Sequence, residues 1–346
     1  MTTKPYKIRV FSLLTIRKKI MTEIDHTNVV LGADDAYAMP LATTICSILK
    51  NVSSSNKLRF FILDGGIKDK SKERIHRVFD THGKEHEIIW IQPDLNALKD
   101  LSTPGRPPSI YLPVLIPKLL PRDCKKAIFL DCDIIVEADI SVLGNVQMNG
   151  APIMAVRDYL IQICSDREGI AAYKELGGSA DSPYFNSGVM IINIELWRKE
   201  KWTEKAIQYI KDNKESIYHY DQGVLNALFI DQWGELDAKW NQQGCLFWPQ
   251  VLKKTDYTEK LMMMYEELVH YPFIIHYLSP SKPWNHKCMH PHANRFLYYL
   301  KESQWFGPLG WRSWWNRFLL RRYWWLFGDL RQNIRQISPA IMKQSK

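Results

Sequence analysis

Two carboxylates, Asp131 and Asp133, stand inside a run that otherwise belongs in a protein interior, with Ala127-Ile128-Phe129-Leu130 before them and Ile134-Ile135-Val136 after. Burying unpaired charge is costly, so such a pair needs a partner that compensates it. In an extended segment, positions two apart project to the same side. Both carboxylates therefore reach one divalent cation, whose charge offsets theirs and which can also hold a diphosphate. The carboxyl end of a strand in a parallel sheet is where such folds bind nucleotides. An isolated Asp-x-Asp also ends many ordinary strands in a turn; the apolar flanks single this one out.

The elements that must position this pair alternate along the chain. Asn28 to Ala33 reads as a buried strand, Ala38 to Leu49 as a helix, and Leu58 to Asp64 as a second strand closed by Gly65-Gly66. A helix near Lys70 to Thr81 and a strand at Glu87 to Ile91 follow. Strand–helix alternation of this kind predicts an α/β fold, a mostly parallel, Rossmann-like sheet covered by helices. Ser102 to Ser109, rich in Pro, reads as a loop. Further strands are expected at Pro152 to Arg157, Gly188 to Asn193 and Phe273 to Tyr277, a helix from Asp221, and a mobile loop over Gly177 to Pro183.

Composition bounds the rest. A chain of 346 residues, 46% hydrophobic and 24% charged, buries a substantial core. Of the formal net charge of +9, the segment from Lys301 to Lys346 carries +7, from nine Lys/Arg against two Asp/Glu. The question of an anionic partner therefore belongs to the tail, and no nucleic-acid-binding module accompanies it. Six scattered cysteines without a Cys-x-x-Cys pair read as reduced, cytosolic thiols. No stretch has the apolar length of a membrane span. Val10 to Ile16 lacks a small-residue cleavage site and is not read as a signal peptide, and Met21 is a second candidate start.

Six segments occur in an order that resembles the family 8 glycosyltransferases, which include bacterial lipopolysaccharide galactosyl- and glucosyltransferases. They are Gly32-Ala33-Asp34-Asp35-Ala36-Tyr37, Phe61-Ile62-Leu63-Asp64-Gly65-Gly66, Ile128-Phe129-Leu130-Asp131-Cys132-Asp133, Tyr184-Phe185-Asn186-Ser187-Gly188-Val189, Asp221-Gln222-Gly223-Val224-Leu225-Asn226, and His276-Tyr277-Leu278-Ser279-Pro280-Ser281-Lys282-Pro283-Trp284. The resemblance implies a GT-A fold and transfer of glucose or galactose from UDP-glucose or UDP-galactose, with retention, to a glycan or glycolipid acceptor. It implies Asp131, Asp133 and His276 as ligands of Mn²⁺, or of Mg²⁺ in its place. Two carboxylates and an imidazole suit the former better. Gly32, Ala33, Asp34 and Tyr37 would frame uracil and ribose, Cys132 and Ser279 would line the nucleotide site, and Lys282 would meet the diphosphate. Asp158, Asn186, Asp221 and Gln222 would surround the transferred sugar, with Gln222 near the anomeric carbon. Retention by same-face attack and retention through a covalent intermediate on Asp221 both remain open.

Each residue also has an ordinary reading: His276 and Tyr37 as core, Asp221 as a helix N-cap, Asn186 as a turn residue. The chain departs from the family pattern too. Pro113 stands where the family usually has Arg, removing a cation and distorting any helix there; either Arg106 or Lys118 compensates, or the sugar pocket differs, or activity is weakened. Ala36 replaces a common Asn, Gly223 a common Asp, and Ser279 a usual Gly.

The expected division is an N-terminal extension over 1–27, a transferase domain over 28–292 and a basic, aromatic tail over 293–346. Trp314 to Trp325 interleaves rings with Arg317, Arg321 and Arg322, the composition of an interfacial helix on an anionic membrane. A helix docked on the core would use the same rings. The protein is accordingly expected in the cytoplasm, peripheral on the inner face of the cell membrane. His286, Cys288, His290 and His292 fit no usual zinc spacing and read as a surface linker. A protein-linked glycan as acceptor, or an inactive, membrane-tethered scaffold, are the alternatives.

Overall fold

The computed structural model describes residues 26–53, 57–82, 86–94, 101, 108–248, 250, 252–278 and 281–343. Ser279, Arg106 and most of the loop expected over Ser102 to Ser109 lie outside the described residues, as does the extension up to residue 25.

Strands β1 (Thr27–Ala33), β2 (Leu58–Asp64), β3 (His86–Ile91), β4 (Lys126–Leu130), β6 (Ile153–Arg157), β7 (Phe185–Asn193) and β8 (Gly234–Glu235) form one sheet in the order β3-β2-β1-β4-β7-β6-β8. Only β7 runs against the other six. The central strands carry near-continuous apolar runs, Val29 to Leu31, Phe60 to Leu63, Ala127 to Leu130 and Val189 to Ile192, because both faces are covered. Val29, Leu31, Ile128 and Leu130 point into one core, while Val30, Phe61, Ala127 and Phe129 point into the other. Helix α1 (Ala38–Asn51) covers the first face with Leu41, Ile45 and Ile48. Helices α2 (Asp69–His82), α3 (Leu112–Leu119), α4 (Ile194–Glu200), α5 (Trp202–Asn213) and α6 (Asp221–Leu228) complete the layers, with α3 to α6 on the second face.

The chain leaves β1 toward β2 and β3 on one side and continues to β4 on the other. The carboxyl ends of β1 and β4 therefore flank a reversal of strand order, the place where open α/β sheets bind ligands.

The apolar run through Asp131 and Asp133 is not one strand. After β4 the chain bends over 131–133 and enters β5 (Ile134–Val136), which belongs to a separate three-stranded sheet, β5-β10-β9, with β9 (Gln242–Gln243) and β10 (Ile274–His276). The two acids thus mark the passage between sheets. Helix α1 pins it: Thr44 Oγ1 donates to the carbonyls of Cys132 and Ile134, each at 2.9 Å. Pro113 distorts nothing, contrary to expectation, because it is the second residue of α3, where an N–H has no intrahelical partner to lose.

Past residue 292 the chain stays packed on the same core. Helix α7 (Ala293–Glu302) lies on α1, with Phe296 and Leu300 wholly buried and Asn51 Nδ2 donating to Tyr299 Oη at 2.8 Å. The packed body continues through Trp305 into helix α8 (Gly307–Lys343), whose Phe318 is buried and whose Trp311 and Trp314 pack on the same core. The stretch read as a surface linker turns alternate side chains inward. Cys288, His290 and His292 are buried among Phe247, Tyr277 and each other. Burial, then mutual repulsion, lowers His290 to about 3; burial, then Arg295, lowers His292 to about 4. Both imidazoles are neutral, which is why they sit edge-on against aromatic rings. Arg322 of α8 ties down this stretch, donating to the carbonyls of His286 at 3.2 Å and Cys288 at 2.8 Å.

Candidate active site

Pairing between distant segments builds the site. β10 runs antiparallel to β5 with His276 opposite Ile134, and Tyr277 N–H donates to the Asp133 carbonyl at 3.0 Å. That register sets the His276 ring beside the acids. Nε2 lies 3.6 Å from Asp131 Oδ2 and 3.5 Å from Asp133 Oδ1. One ligand atom from each of the three residues falls within 4.8 Å of the others, the only such cluster among the described residues. His276 is buried while Asp131 is half-exposed, so the cluster opens on one side.

On the other side of β4, β7 extends the pairing past the strand end, with Asp131 N–H donating to the Gly188 carbonyl at 2.9 Å. A Cβ on Gly188 would stand 2.2 Å from His276 Cε1 and 2.9 Å from Asp131 Oδ2. The bare Cα is what lets acid and imidazole converge.

The electrostatics are asymmetric. Loss of solvent around the pair and the neighbouring Asp133 charge raise Asp131 to about 6. The same burial opposes ionisation of Asp133, but His276 and Lys282 outweigh it and hold that carboxyl far below its usual range. Lys282 Nζ lies 2.5 Å from Asp133 Oδ2 and donates to the Tyr277 carbonyl at 2.6 Å. Two carboxylates, an imidazole with its Nε2 turned toward them and one ammonium make a donor set that fits a divalent cation bearing phosphate.

At the end of β1, Asp34 Oδ1 accepts from Tyr37 N–H at 3.1 Å and fixes a short turn. The Tyr37 ring is 39% exposed, which excludes a core role, and the Trp284 ring meets it edge-on at 5.9 Å. Burial and then Asp133 and Asp131 raise its phenol, placing the ring within the field of the acids. Gly32 gives its carbonyl to Cys132 Sγ at 3.1 Å, tying the two strand ends together. Ala33 closes β1, and its carbonyl accepts from Gly65 N–H at 2.8 Å.

The expected sugar-side residues come together in a buried network. Gln222 Oε1 accepts from Asn186 Nδ2 and Ser187 N–H, each at 3.1 Å, and Gln222 Nε2 donates to Asp158 Oδ2 at 3.2 Å. Asn186 Nδ2 also donates to Asp158 Oδ2 at 3.1 Å. Asp158 Oδ1 accepts from Leu160 and Ile161 N–H at 2.9 Å, so both its oxygens are engaged within the protein. Asn186 is no mere turn residue, since it lies in β7 and is 3% exposed.

Asp221 is the first residue of α6; the cap position is Tyr220, which rules out the N-cap reading. His219 and Tyr220 take φ of 56° and 53°, a left-handed turn that non-glycine residues adopt only at a cost. This turn aims Asp221 at the cluster. Loss of solvent, then the charge of Asp131, raises Asp221 to about 8.

Lys118 does not replace the missing Arg. Its ammonium pairs with Glu204 of α5 at 3.0 Å, on a surface shared with Arg122 and Arg198, away from the acids. Asn241 is a residue that sequence reasoning missed altogether. It is wholly buried and bonded to both Asn186 and His276.

Comparison with known proteins agrees with this architecture. The chain is 32% identical over 288 residues to general stress protein A of Bacillus subtilis, covering 82% of this chain and 95% of that protein. It is 26% identical over 287 residues to lipopolysaccharide 1,2-glucosyltransferase of Escherichia coli K12, covering 80% and 78%. Among solved structures, the galactosyltransferase LgtC in complex with donor and acceptor sugar analogues superposes with a TM-score of 0.67 over 80% of this chain and 95% of that one, at 22% identity, a likeness of fold. With the model of glycosyl transferase family 8 matching residues 28–288, which span both the strand-end acids and His276, the chain belongs to that family and has its GT-A fold.

Proposed function

We propose that the protein transfers glucose or galactose from UDP-glucose or UDP-galactose, with retention, to a lipopolysaccharide or other surface-glycan acceptor. The observation that carries the reading is the convergence of Asp131, Asp133 and His276 at the strand reversal, between the exposed ring of Tyr37 and the ammonium of Lys282. Asp131, Asp133 and His276 would hold Mn²⁺, or Mg²⁺ in its place. When bound, the ion supplies positive charge for a diphosphate leaving group. Tyr37 offers a ring face to the uracil, and Lys282 stands where it neutralises the diphosphate.

On the sugar side, burial favours the neutral carboxyl of Asp221, which would serve as a hydrogen-bond donor to a sugar hydroxyl rather than as a nucleophile. Gln222 is held at both ends of its amide and cannot swing to form a covalent adduct. Both features favour attack on the face the leaving group departs from. A panel of nucleotide sugars, incubated with Mn²⁺ and followed by mass detection of UDP, tests the assignment. UDP release from the glucose or galactose donor, lost on chelation, is expected. No release from any donor with either metal would overturn it.

We also place the protein in the cytoplasm, peripheral on an anionic membrane through α8. The rings expected at the lipid surface mostly face elsewhere: Trp314 and Trp315 each stack on Phe318, and Trp311, Trp314 and Phe318 pack toward the body. Leu309, Leu319, Leu320, Tyr323 and Leu326 are exposed instead, alongside exposed Arg312, Arg317 and Arg321. No helix among the described residues is long and apolar enough to cross a membrane. Replacing Leu319 and Leu320 together by Glu is expected to weaken binding to anionic vesicles by roughly tenfold or more while sparing donor hydrolysis. Equal flotation of both proteins would remove the membrane role.

A further inference from the structure

We infer that Asn241 is a positioning residue that sets the tautomer of His276 and joins the metal side of the site to the sugar side. The inference follows from the polarity of the hydrogen bonds, and it rests on the metal reading above only for its consequence.

Two backbone amides of β7 cannot change polarity, because an N–H only donates. Gly188 N–H donates to Asn186 Oδ1 at 3.1 Å, which fixes that atom as the amide oxygen. Asn241 reaches the same oxygen at 2.9 Å, so it must do so with its Nδ2. Its Oδ1 is then the atom facing His276 Nδ1 at 3.0 Å, and that nitrogen must carry the hydrogen. With Nδ1 always the donor, the nitrogen left to gain or lose a proton is Nε2: protonated, it pairs with Asp131 Oδ2 and Asp133 Oδ1, and deprotonated, as a metal ligand must be, it turns its lone pair between them. The next amide along, Ser187 N–H, fixes Gln222 in the same way, leaving Gln222 Nε2 on Asp158.

Asn241 and His276 are 0% and 1% exposed and Asn186 is 3% exposed, so water cannot substitute for a missing partner. A ligand imidazole held by a hydrogen bond to its far nitrogen is fixed in orientation and tautomer. Here the same amide that does this also anchors Asn186, so the cation site and the sugar site share one rigid connection. The segment around Asn241 is a short 3-10 turn, Ala238–Asn241, running into β9, which pairs in parallel with β10. The backbone therefore delivers Asn241 alongside His276.

Two substitutions separate the two bonds. Asn241→Asp keeps an acceptor for His276 Nδ1–H but presents an oxygen to Asn186 Oδ1. Asn241→Leu loses both. The measurements, on the full chain, are the ¹⁵N shifts of His276 in metal-free protein, assigned with His276→Gln and followed to alkaline pH so that the neutral ring is read, and Mn²⁺ uptake followed by electron paramagnetic resonance. Wild type is expected to show the Nδ1–H pattern. Asn241→Leu should shift it to Nε2–H and weaken Mn²⁺ binding by about 10- to 100-fold. Asn241→Asp should retain both the Nδ1–H form and the affinity, yet turn over donor at least about tenfold more slowly, because Asn186 has lost its donor. A wild-type His276 protonated on Nε2, or an Asn241→Leu protein unchanged in tautomer and affinity, overturns the inference, as does an Asn241→Asp protein that loses Mn²⁺ as fully as Asn241→Leu. A wild type that shows the Nδ1–H form but takes up no Mn²⁺ supports the positioning and overturns the metal reading instead.

Discussion

Replacing Asp133 by Asn is expected to reduce metal-dependent release of UDP from a sugar donor by roughly 10³-fold or more, with the fold intact. Asn is isosteric, so the bend over 131–133, pinned by Thr44, keeps its shape. What is lost is charge. Asp133 is the more firmly ionised of the two acids, held so by His276 and Lys282. Without it, one carboxylate, Asp131, and the imidazole of His276 are left to hold the cation. Lys282 also loses its anionic partner at 2.5 Å. The check is UDP release against Mn²⁺ concentration, with circular dichroism to establish folding. A ligand role predicts partial recovery at high Mn²⁺, since weakened affinity is offset by mass action. A folded variant with near-full rate at low Mn²⁺ would dismiss Asp133 as a ligand.

The fold was legible wherever burial on both faces leaves a continuous apolar run. β1, β2 and β4 fall within a residue of their expected starts, because strands covered by helices on both sides read as near-continuous apolar runs. The acids were legible for the converse reason, as charges where none is tolerated. His276 is different. It enters the site through the pairing of β10 with β5, which no local periodicity encodes, and only the resemblance pointed to it. Asn241 gave no signal at all: Trp240-Asn241-Gln242-Gln243-Gly244 reads as polar loop, and its burial depends on contacts with β7 and β10.

The tail shows a different limit. Trp311, Trp314 and Phe318 recur at helical spacing, and Arg322 follows on the same side. Lipid and a protein core both accept an aromatic stripe with a flanking guanidinium, so composition cannot tell them apart. The carbonyls of His286 and Cys288 decide in favour of protein for Arg322. His290 and His292 misled for a related reason: residues counted as polar are neutral here and behave as aromatic rings.

The second large effect is expected from the smallest change, Gly188→Ala. Its φ is not in the left-handed region, unlike those of Gly66, Gly150 and Gly177, so the backbone there suits any residue. The obstacle is space alone. The added methyl would sit 2.2 Å from His276 Cε1 and 2.8 Å from Nδ1, distances at which something must move. His276 cannot withdraw, being buried and held by Asn241. Asp131 can yield only by turning its carboxylate out of the cluster. Either movement separates the groups that would share the cation. Mn²⁺ affinity and UDP release are therefore both expected to fall by about 100-fold, with an overpacking cost of about 1–3 kcal/mol in urea unfolding. Gly150→Ala supplies the comparison. That site has open space around its would-be Cβ but φ of 83°, so it should lose about 1 kcal/mol through backbone strain and leave the metal untouched. If Gly188→Ala bound Mn²⁺ as tightly as wild type while losing stability, the bare Cα would be a packing requirement of β7 and not a requirement of the cation site.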